Sequence, residues 1–169
     1  MTSDDEEAIL KENLPKSVPI LPLRNAVLFP GVVIPISATR DKSVKLIKHA
    51  NSKNKLIGVV SQKDSAVSAP TINDINKIGT VAKILRVLQM PDGNLTIIIQ
   101  GKKRFSIDKV VSKKPFLTCT INELQESSPK NSNKKFLATI DSIKDLALKI
   151  IEENPNIPSE ASFAIKNIH

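Results

Sequence analysis

The sequence lacks tryptophan and tyrosine altogether, and its only aromatic side chains are five phenylalanines. Because 40% of the 169 residues are still hydrophobic, the chain can build a core, which isoleucine, leucine and valine must largely pack. The single cysteine excludes an internal disulfide and suits a reducing compartment, so we expect a cytoplasmic protein. The two histidines, His49 and His169, lie far apart in the chain, and no metal site is predicted.

Targeting signals are missing as well. The acidic N-terminal segment MTSDDEEAILKEN has neither the basic region nor the apolar region of a secretory signal. No stretch joins about 20 uninterrupted apolar residues, which is the length that a membrane-spanning helix requires. We therefore expect no association with a membrane.

Catalytic motifs are not recognisable in the sequence. The five glycines do not form the GxxxxGK[ST] cradle that holds nucleotide phosphates. Serine and lysine are plentiful, but no surrounding motif marks a nucleophile paired with a base. The residues alone therefore predict a binding or scaffolding module, with no catalytic, cofactor-binding or metal-ligating residue.

One apolar stretch, PILPLRNAVLFPGVVIPI at positions 19–36, is interrupted by prolines at 19, 22, 30 and 35. These prolines remove backbone donors, which excludes a membrane helix and argues against a central strand. The pattern predicts a strand over VPILPL, a turn at Arg24 and Asn25, an apolar loop AVLFPG and a strand over VVIPIS. Because proline suits sheet edges and bulges, we expect the segment at the rim of a small β-structure, with apolar side chains near the surface.

The clearest β-pattern lies near the middle of the chain. The runs IGTVAKILRVLQM and NLTIIIQG flank Pro91, Asp92 and Gly93, where proline favours the first central turn position and glycine accepts positive φ. These features predict a hairpin, continued as a meander by KRFSIDKVV and PFLTCTINEL. Cys119 falls within the last of these strands and is predicted to be a small core residue rather than a reactive thiol.

The first helical pattern covers residues 40–52. It places Val44, Ile47 and Ala50 on one face, and Thr39 is the predicted N-cap. These apolar positions predict one amphipathic helix packed against the strands.

A second helical pattern follows a polar linker, QESSPKNSNKK. Asn133 or Ser132 can cap its start, and Ser159 opens the pattern of a further helix. The apolar residues of the second pattern step by three or four positions: Phe136, Ile140, Ile143, Ala147 and Ile150.

The net charge of +8 is distributed unevenly. The first twelve residues carry −4, so the remainder of the chain carries +12. These cations are scattered in short groups, which is typical of solvated strand ends and turns. Phe29, Phe105 and Phe116 stand in apolar contexts that suit packing rather than base stacking, so a nucleic-acid partner is not favoured.

Two groups of motifs resemble the N-terminal domain of the ATP-dependent Lon protease family. The first is VPILPLRNAVLFPGVVIPI, where LPLR precedes an FPG turn, and the second is IGTVAKILRVLQMPDGNLTIIIQGKKRF. The similarity extends from about Lys16 to Glu126. It implies an α+β fold, a PUA-like β pseudo-barrel with one packed helix, followed by a truncated C-terminal helical subdomain.

The resemblance also implies a division into segments. Residues 1–15 are expected to be a disordered acidic tail, 16–126 the β-rich domain, 127–133 a linker and 134–169 the start of the helical subdomain. In the family an AAA+ ATPase and a Ser–Lys protease domain follow, and the full-length chain forms a homo-hexamer that uses ATP and Mg. The sequence contains neither catalytic part, so the chain itself is expected to be non-catalytic.

By the same resemblance, the domain captures unfolded or damaged proteins for degradation in protein quality control. Such substrates share exposed apolar side chains, which an adaptable apolar surface can bind. The Pro-rich stretch and the hairpin turn supply the predicted substrate-binding rim: Pro22, Leu28, Phe29, Pro30, Met90 and Pro91. The competing interpretation is that Leu28, Phe29 and Met90 plug the ends of the barrel.

Two alternative functions stay open at this point. One is a stand-alone PUA-like module that binds a protein partner and has no attached protease. The other is RNA binding, suggested only by analogy with other PUA-like folds. RNA binding would require one basic stripe formed by Lys102, Lys103, Arg104, Lys113 and Lys114.

Overall fold

A computed structural model of the chain describes residues 14–91, 94–125, 133–157 and 161–166. The chain forms two compact units, Met1–Gln125 and Glu126–His169. The predictions made for residues 1–13 and for most of the linker lie outside the described residues.

The described part of the first unit has six β-strands, one α-helix and a short 3-10 turn at Ile72–Asp74. The second unit has two helices within the same limits. The strands are β1 Ser17–Leu23, β2 Val33–Ala38, β3 Leu56–Ser61, β4 Ile78–Gln89, β5 Leu95–Ser112 and β6 Thr118–Glu123. The helices are α1 Asp41–Ser52, α2 Lys134–Glu153 and α3 Ala161–Lys166.

The six strands form one mixed sheet in the order β2-β5-β4-β3-β1-β6, and β6 also pairs with β5. This additional pairing closes five of the strands into a ring. Closure depends on β5, because the first part of this 18-residue strand pairs with β2 and its second part pairs with β6. The predicted α+β class is confirmed, while the PUA-like label and the C-terminal helical subdomain stay predictions.

The predicted hairpin is confirmed by the antiparallel pairing of β4 with β5. Met90 N donates a hydrogen bond of 2.9 Å to Asn94 O where the two strands meet. The second strand does not stop at Gly101, as the sequence pattern suggested, but continues through the basic residues to Ser112. Gly93 lies outside the described residues, so its positive φ stays a prediction.

The prolines of β1 predicted a strand at the edge of the sheet. This prediction was wrong, because β1 lies between β3 and β6. It pairs with β6 through its first three residues and with β3 through its last four. Leu23 O accepts a hydrogen bond of 2.8 Å from Gln62 N, just after β3. The backbone groups of successive residues in a strand point to opposite sides, so the nitrogen of Pro22 points away from β3. A strand that changes partner midway can therefore hold Pro19 and Pro22 inside a sheet.

β2 confirms the expected sheet edge. Within the described ranges it pairs with β5 and with no other strand. Gly101 N donates to Val32 O at 2.9 Å, so the alternate residues of β2 direct their backbone groups to β5 and Pro35 directs its nitrogen to the free edge. An edge with no donor at its centre is a poor template for pairing with another chain.

Aliphatic side chains pack the interior of the first unit, as the composition predicts. Ile47, Ile57, Ile97 and Ile99 are completely buried in one cluster. A second cluster surrounds Phe105, and it includes Val18, Ile20, Val81 and the buried Cys119. The predictions that Phe105 and Cys119 are core residues are therefore confirmed.

α1 packs its apolar face, which includes Leu46, Ile47 and Ala50, towards β1 and β3. Its N-cap is Arg40, so the prediction that Thr39 caps the helix was wrong. The Arg40 side chain makes no capping hydrogen bond, because a guanidinium donates but cannot accept from the first amides of the helix.

α2 begins as predicted, with the Asn133 side chain accepting a hydrogen bond of 3.2 Å from Phe136 N. None of its 20 residues is buried in the described part of the chain. Its apolar stripe is largely exposed, as shown by Phe136, Leu137, Ile143, Leu146 and Ile150.

Candidate functional site

The loop between β1 and β2 presents Phe29, whose side chain is 52% exposed. On one side of it, the Leu28 carbonyl accepts a hydrogen bond of 2.7 Å from the Thr80 hydroxyl. On the other side, Gly31 N donates to Gly101 O at 3.0 Å. The backbone is thus anchored on both sides of Phe29, and the ring is held at the surface by a fixed support.

Two glycines make this anchoring possible. Gly31 has φ of 78°, a value that other residues adopt only with strain. At Gly101 an added Cβ would collide with the Phe29 carbonyl oxygen. The Phe29 loop can therefore approach β5 only because Gly101 has no side chain.

Leu28 is buried, although it was predicted to belong to the substrate-binding rim. Its side chain is only 4% exposed and belongs to the same core cluster as Ile97 and Ile99. The prediction that Leu28 lies on a binding surface was therefore wrong. Adjacent apolar residues in a loop give no periodicity, so the sequence could not show which of Leu28 and Phe29 points inwards.

The other predicted rim residues lie in different places. Phe29, Met90 and Pro91 are exposed, whereas Pro22 and Pro30 are partly buried. Phe29 lies beside Gly101, and Met90 lies opposite Asn94, just before β5. At about 3.3 Å per residue, the length of strand between these two points is roughly 20 Å. The predicted rim is therefore two separated groups rather than one patch.

Outward-facing side chains of β2, β5 and β4 fill the span between these groups. Along β5 the buried residues alternate with Thr96, Ile98 and Gln100, which consequently face outwards. Residues directly opposite in register share a face, so Pro35 lies beside Ile98, and Leu88 lies beside Thr96. We define the outer strip as the following apolar residues: Phe29, Val33, Pro35, Leu88, Met90 and Ile98.

The sequence interpretation missed four members of the outer strip, which are Val33, Pro35, Leu88 and Ile98. Val33 is 47% exposed and Leu88 is 43% exposed, and Ile98 is partly buried. The signal for Ile98 and Leu88 was the β-alternation itself, which assigns every second apolar residue of a hairpin strand to the outside. The uninterrupted apolar runs in both strands hid that alternation, because they resemble strands buried on both faces.

Two cavities adjoin the start of α1. The apolar cavity encloses about 200 Å³, and the arginine cavity encloses about 210 Å³. Pro22, Arg40 and Ser43 line both of them. The apolar cavity is further lined by Ile20, Asp41, Lys42, Leu46, Ser68, Ala69, Pro70, Phe116 and Leu117. The arginine cavity is further lined by Leu21, Leu23, Arg24, Pro35, Ile36, Ser37, Ala38 and Thr39.

The Arg40 side chain is held in place by a buried amide. Its Nη2 donates a hydrogen bond of 2.7 Å to Gln62 Oε1. Gln62 Nε2 in turn donates to the carbonyls of Asp64 and Val67, both at 3.0 Å, which fixes the oxygen of the amide towards Arg40. Burial, and after it the nearby charge of Arg24, holds the pKa of Arg40 below its ordinary value.

Neither a recognisable metal centre nor an exposed thiol occurs among the described residues. No group of three or more His, Cys, Asp and Glu side chains in that part of the chain could hold a metal ion. Burial raises the pKa of the Cys119 thiol to about 11, so the reactive thiolate is scarce at neutral pH. Nor is any helix of the described ranges long and apolar enough to cross a membrane.

The basic residues do not form the single stripe that RNA binding would require. Lys103 pairs with Glu123 at 2.7 Å, so its charge is already offset. Lys113 and Lys114 follow the far end of β5, about 30 Å along the strand from Lys103. The cations are therefore dispersed over the surface.

Comparison with known proteins identifies relatives for nearly the whole chain. Residues 17–169 match the family model described as the ATP-dependent protease La (LON) substrate-binding domain. A Lon protease of Flavobacterium johnsoniae is 62% identical over 168 residues, and one of Cytophaga hutchinsonii is 46% identical over 168 residues. Each alignment covers 99% of this chain but 21% of the relative, so the chain spans about a fifth of the length of these curated relatives.

Solved structures show the same fold at low sequence identity. The N-terminal domain of a Mycobacterium avium complex Lon protease superposes with a TM-score of 0.71 at 21% identity, covering 90% of this chain and 76% of that domain. A Lon N-terminal domain protein from Xanthomonas campestris gives a TM-score of 0.58 at 16% identity, covering 89% of this chain and 90% of its own.

Proposed function

Because the chain belongs to the family of Lon protease substrate-binding domains, we propose that it binds unfolded or damaged polypeptides for degradation by a longer parent protein. The parent is an ATP- and Mg-dependent serine peptidase that acts as a homo-hexamer in the cytoplasm and serves protein quality control. The domain contributes recognition, and the catalytic steps belong to the rest of the parent.

The outer strip is the observation that supports this proposal best. Phe29, at 52% exposure, is held outwards by hydrogen bonds that join its loop backbone to the Thr80 hydroxyl of β4 and to the Gly101 carbonyl of β5. Met90, at 44% exposure, marks the other end of the strip. A soluble domain rarely keeps so many neighbouring apolar side chains exposed unless they bind a partner. Methionine adds a flexible contact that adapts to substrates of varied shape.

The free edge of β2 is protected against aggregation. An exposed apolar strip beside an open sheet edge would ordinarily favour aggregation. Pro35 removes the central donor of that edge, so the strip can contact side chains while the edge resists strand pairing with another copy. Recognition therefore rests on side-chain contacts, which require no particular sequence in the substrate.

Binding by one domain should be weak. Each half-exposed side chain that becomes buried contributes about 1–2 kcal/mol, so one domain should bind an unfolded protein with a Kd of roughly micromolar to millimolar. Six linked domains would raise the apparent affinity by about 10² or more through effective concentration. A weak and unselective surface is therefore compatible with a processive machine.

The proposal is tested by replacing both exposed ends of the outer strip. The Phe29→Ser, Met90→Ser double variant should bind a chemically unfolded protein about tenfold or more weakly, because two apolar contacts are lost. Its unfolding free energy should fall by less than about 1 kcal/mol, because both side chains are largely exposed. Fluorescence anisotropy measures binding, and urea denaturation measures stability.

Val111→Ser is the matched control. Val111 is 60% exposed and lies near the far end of β5, away from the outer strip. Its replacement removes a comparable exposed apolar side chain and should leave binding unchanged. A folded double variant that binds as tightly as the wild type would overturn the proposal.

A further inference from the structure

The arginine cavity contains two cations without a partner of opposite charge. Among the residues that the structure describes, no carboxylate pairs with Arg24 or Arg40, and the charge of Arg24 acts directly on Arg40. Arg40 is fixed by its hydrogen bond to Gln62, and the exposed Arg24 lines the same cavity. Two like charges that face one cavity favour an anion between them.

The apolar cavity lies directly next to this pair. Pro22, Arg40 and Ser43 line both spaces, and Leu46, Phe116 and Leu117 line only the apolar one. Its volume of about 200 Å³ is below the range of roughly 300–1,000 Å³ that is typical of small-molecule sites, so it suits a single side chain. Asp41 and Lys42, which carry opposite charges, also border it.

We propose that these adjoining cavities bind the C-terminal residue of a polypeptide whose last side chain is apolar. Arg24 and Arg40 pair with the terminal carboxylate, and the last side chain enters the apolar cavity. A carboxylate can accept two parallel hydrogen bonds from a guanidinium, which makes an arginine pair more selective for it than a diffuse basic surface. Two observations support this ligand. Its carboxylate complements the charge of the arginines, and the apolar cavity has the size of a single side chain.

This inference rests on the proposed function, and it adds a substrate class to it. The outer strip binds apolar segments anywhere in an unfolded chain, whereas the two cavities select a free chain end. Pro35 belongs to the outer strip and also lines the arginine cavity, but neither Phe29 nor Met90 lines either cavity, so each site can be disabled through residues of its own.

The test compares two acetylated six-residue peptides that end in leucine, one with a free carboxylate and one with a C-terminal amide. The full 169-residue chain should bind the free acid about tenfold more tightly, because the amide cannot make a charged pair with the arginines. Arg24→Gln should remove most of this difference and leave the amide unaffected. Arg24 is exposed and has no hydrogen-bond partner among the described residues, so this variant should fold normally.

Three controls make the outcome decisive. Arg104→Gln removes the same charge elsewhere in the first unit, and it should preserve the preference for the free acid. A peptide amide with an internal glutamate tests whether a side-chain carboxylate serves equally well, and tighter binding of that peptide would overturn the proposal. The proposal would also fall if the free acid bound only after removal of residues 1–12, because the chain's own acidic segment would then occupy the arginines.

Failure of this inference is distinguishable from failure of the proposed function. An unfolded protein with an amidated C-terminus should still lose affinity in the Phe29→Ser, Met90→Ser variant, whatever the peptides show. Equal binding of the free acid and the amide would therefore reject C-terminal recognition alone. The proposed function would be rejected if the Phe29→Ser, Met90→Ser variant bound that protein as tightly as the wild type.

Discussion

The first unit and helix α2 both expose apolar side chains, but the exposure has a different physical meaning in each. Phe29 is 52% exposed although its unit has its own buried core, and hydrogen bonds fix the backbone on both sides of it. Ile143 is 59% exposed on a helix none of whose residues is buried in the described part of the chain. Exposure supports a binding role only where the surrounding structure already satisfies its own packing.

Replacing Leu28, the buried residue next to Phe29, should have the largest effect on stability. Leu28→Ala should lower the unfolding free energy by about 2–5 kcal/mol, because it removes a buried side chain from the core. Phe29→Ser, one residue further, should cost less than about 1 kcal/mol. Urea denaturation of both single variants measures this contrast, and equal losses would show that Phe29 is a core residue after all.

Gly101→Ala should have an intermediate effect on the free energy of unfolding. The added methyl would collide with the Phe29 carbonyl, so the loop or β5 must shift, at a cost of about 1–3 kcal/mol. We also expect weaker binding of unfolded protein, because the ring of Phe29 is displaced. Gly101→Ala with unchanged stability and unchanged binding would show that the loop does not depend on this close approach.

The stripe on α2 should show the smallest effect on binding. An Ile143→Ser, Leu146→Ser variant removes two side chains that are 59% and 62% exposed, more than the pair changed at Phe29 and Met90. We expect the affinity for unfolded protein to stay within about twofold of the wild type, since this stripe follows the pattern of a helix face that packs rather than binds. A loss as large as that of the Phe29 and Met90 variant would remove the distinction between the two regions.

Local patterns predicted the elements well. The turn residues between the two long runs predicted the β4–β5 hairpin, and a three- and four-residue spacing predicted α1 and α2. The side chain of Asn133 caps α2 as expected. In these segments each residue's preference is decided by neighbours within a few positions, so one sequence suffices.

Pairings between distant segments were not predictable from the sequence. The prolines of β1 suggested an edge, but the strand changes partner between β6 and β3, and that exchange depends on residues far away in the chain. The backbone of Leu28 is held in the same way by a distant residue, because its carbonyl accepts a hydrogen bond from Thr80, 52 positions later. Arg24 was predicted only as a turn residue, and its nearness to Arg40 appears only in the folded chain.

The central claim is that the outer strip binds unfolded polypeptide, and an NMR titration tests it most directly. A chemically unfolded protein would be added to the isotope-labelled chain while the backbone amide signals are followed. We predict that the largest shifts occur at Phe29, Val33, Leu88, Met90 and Ile98, with little change at Val111 and along α2. Shifts concentrated on α2, with the amides of the outer strip unmoved, would contradict the account.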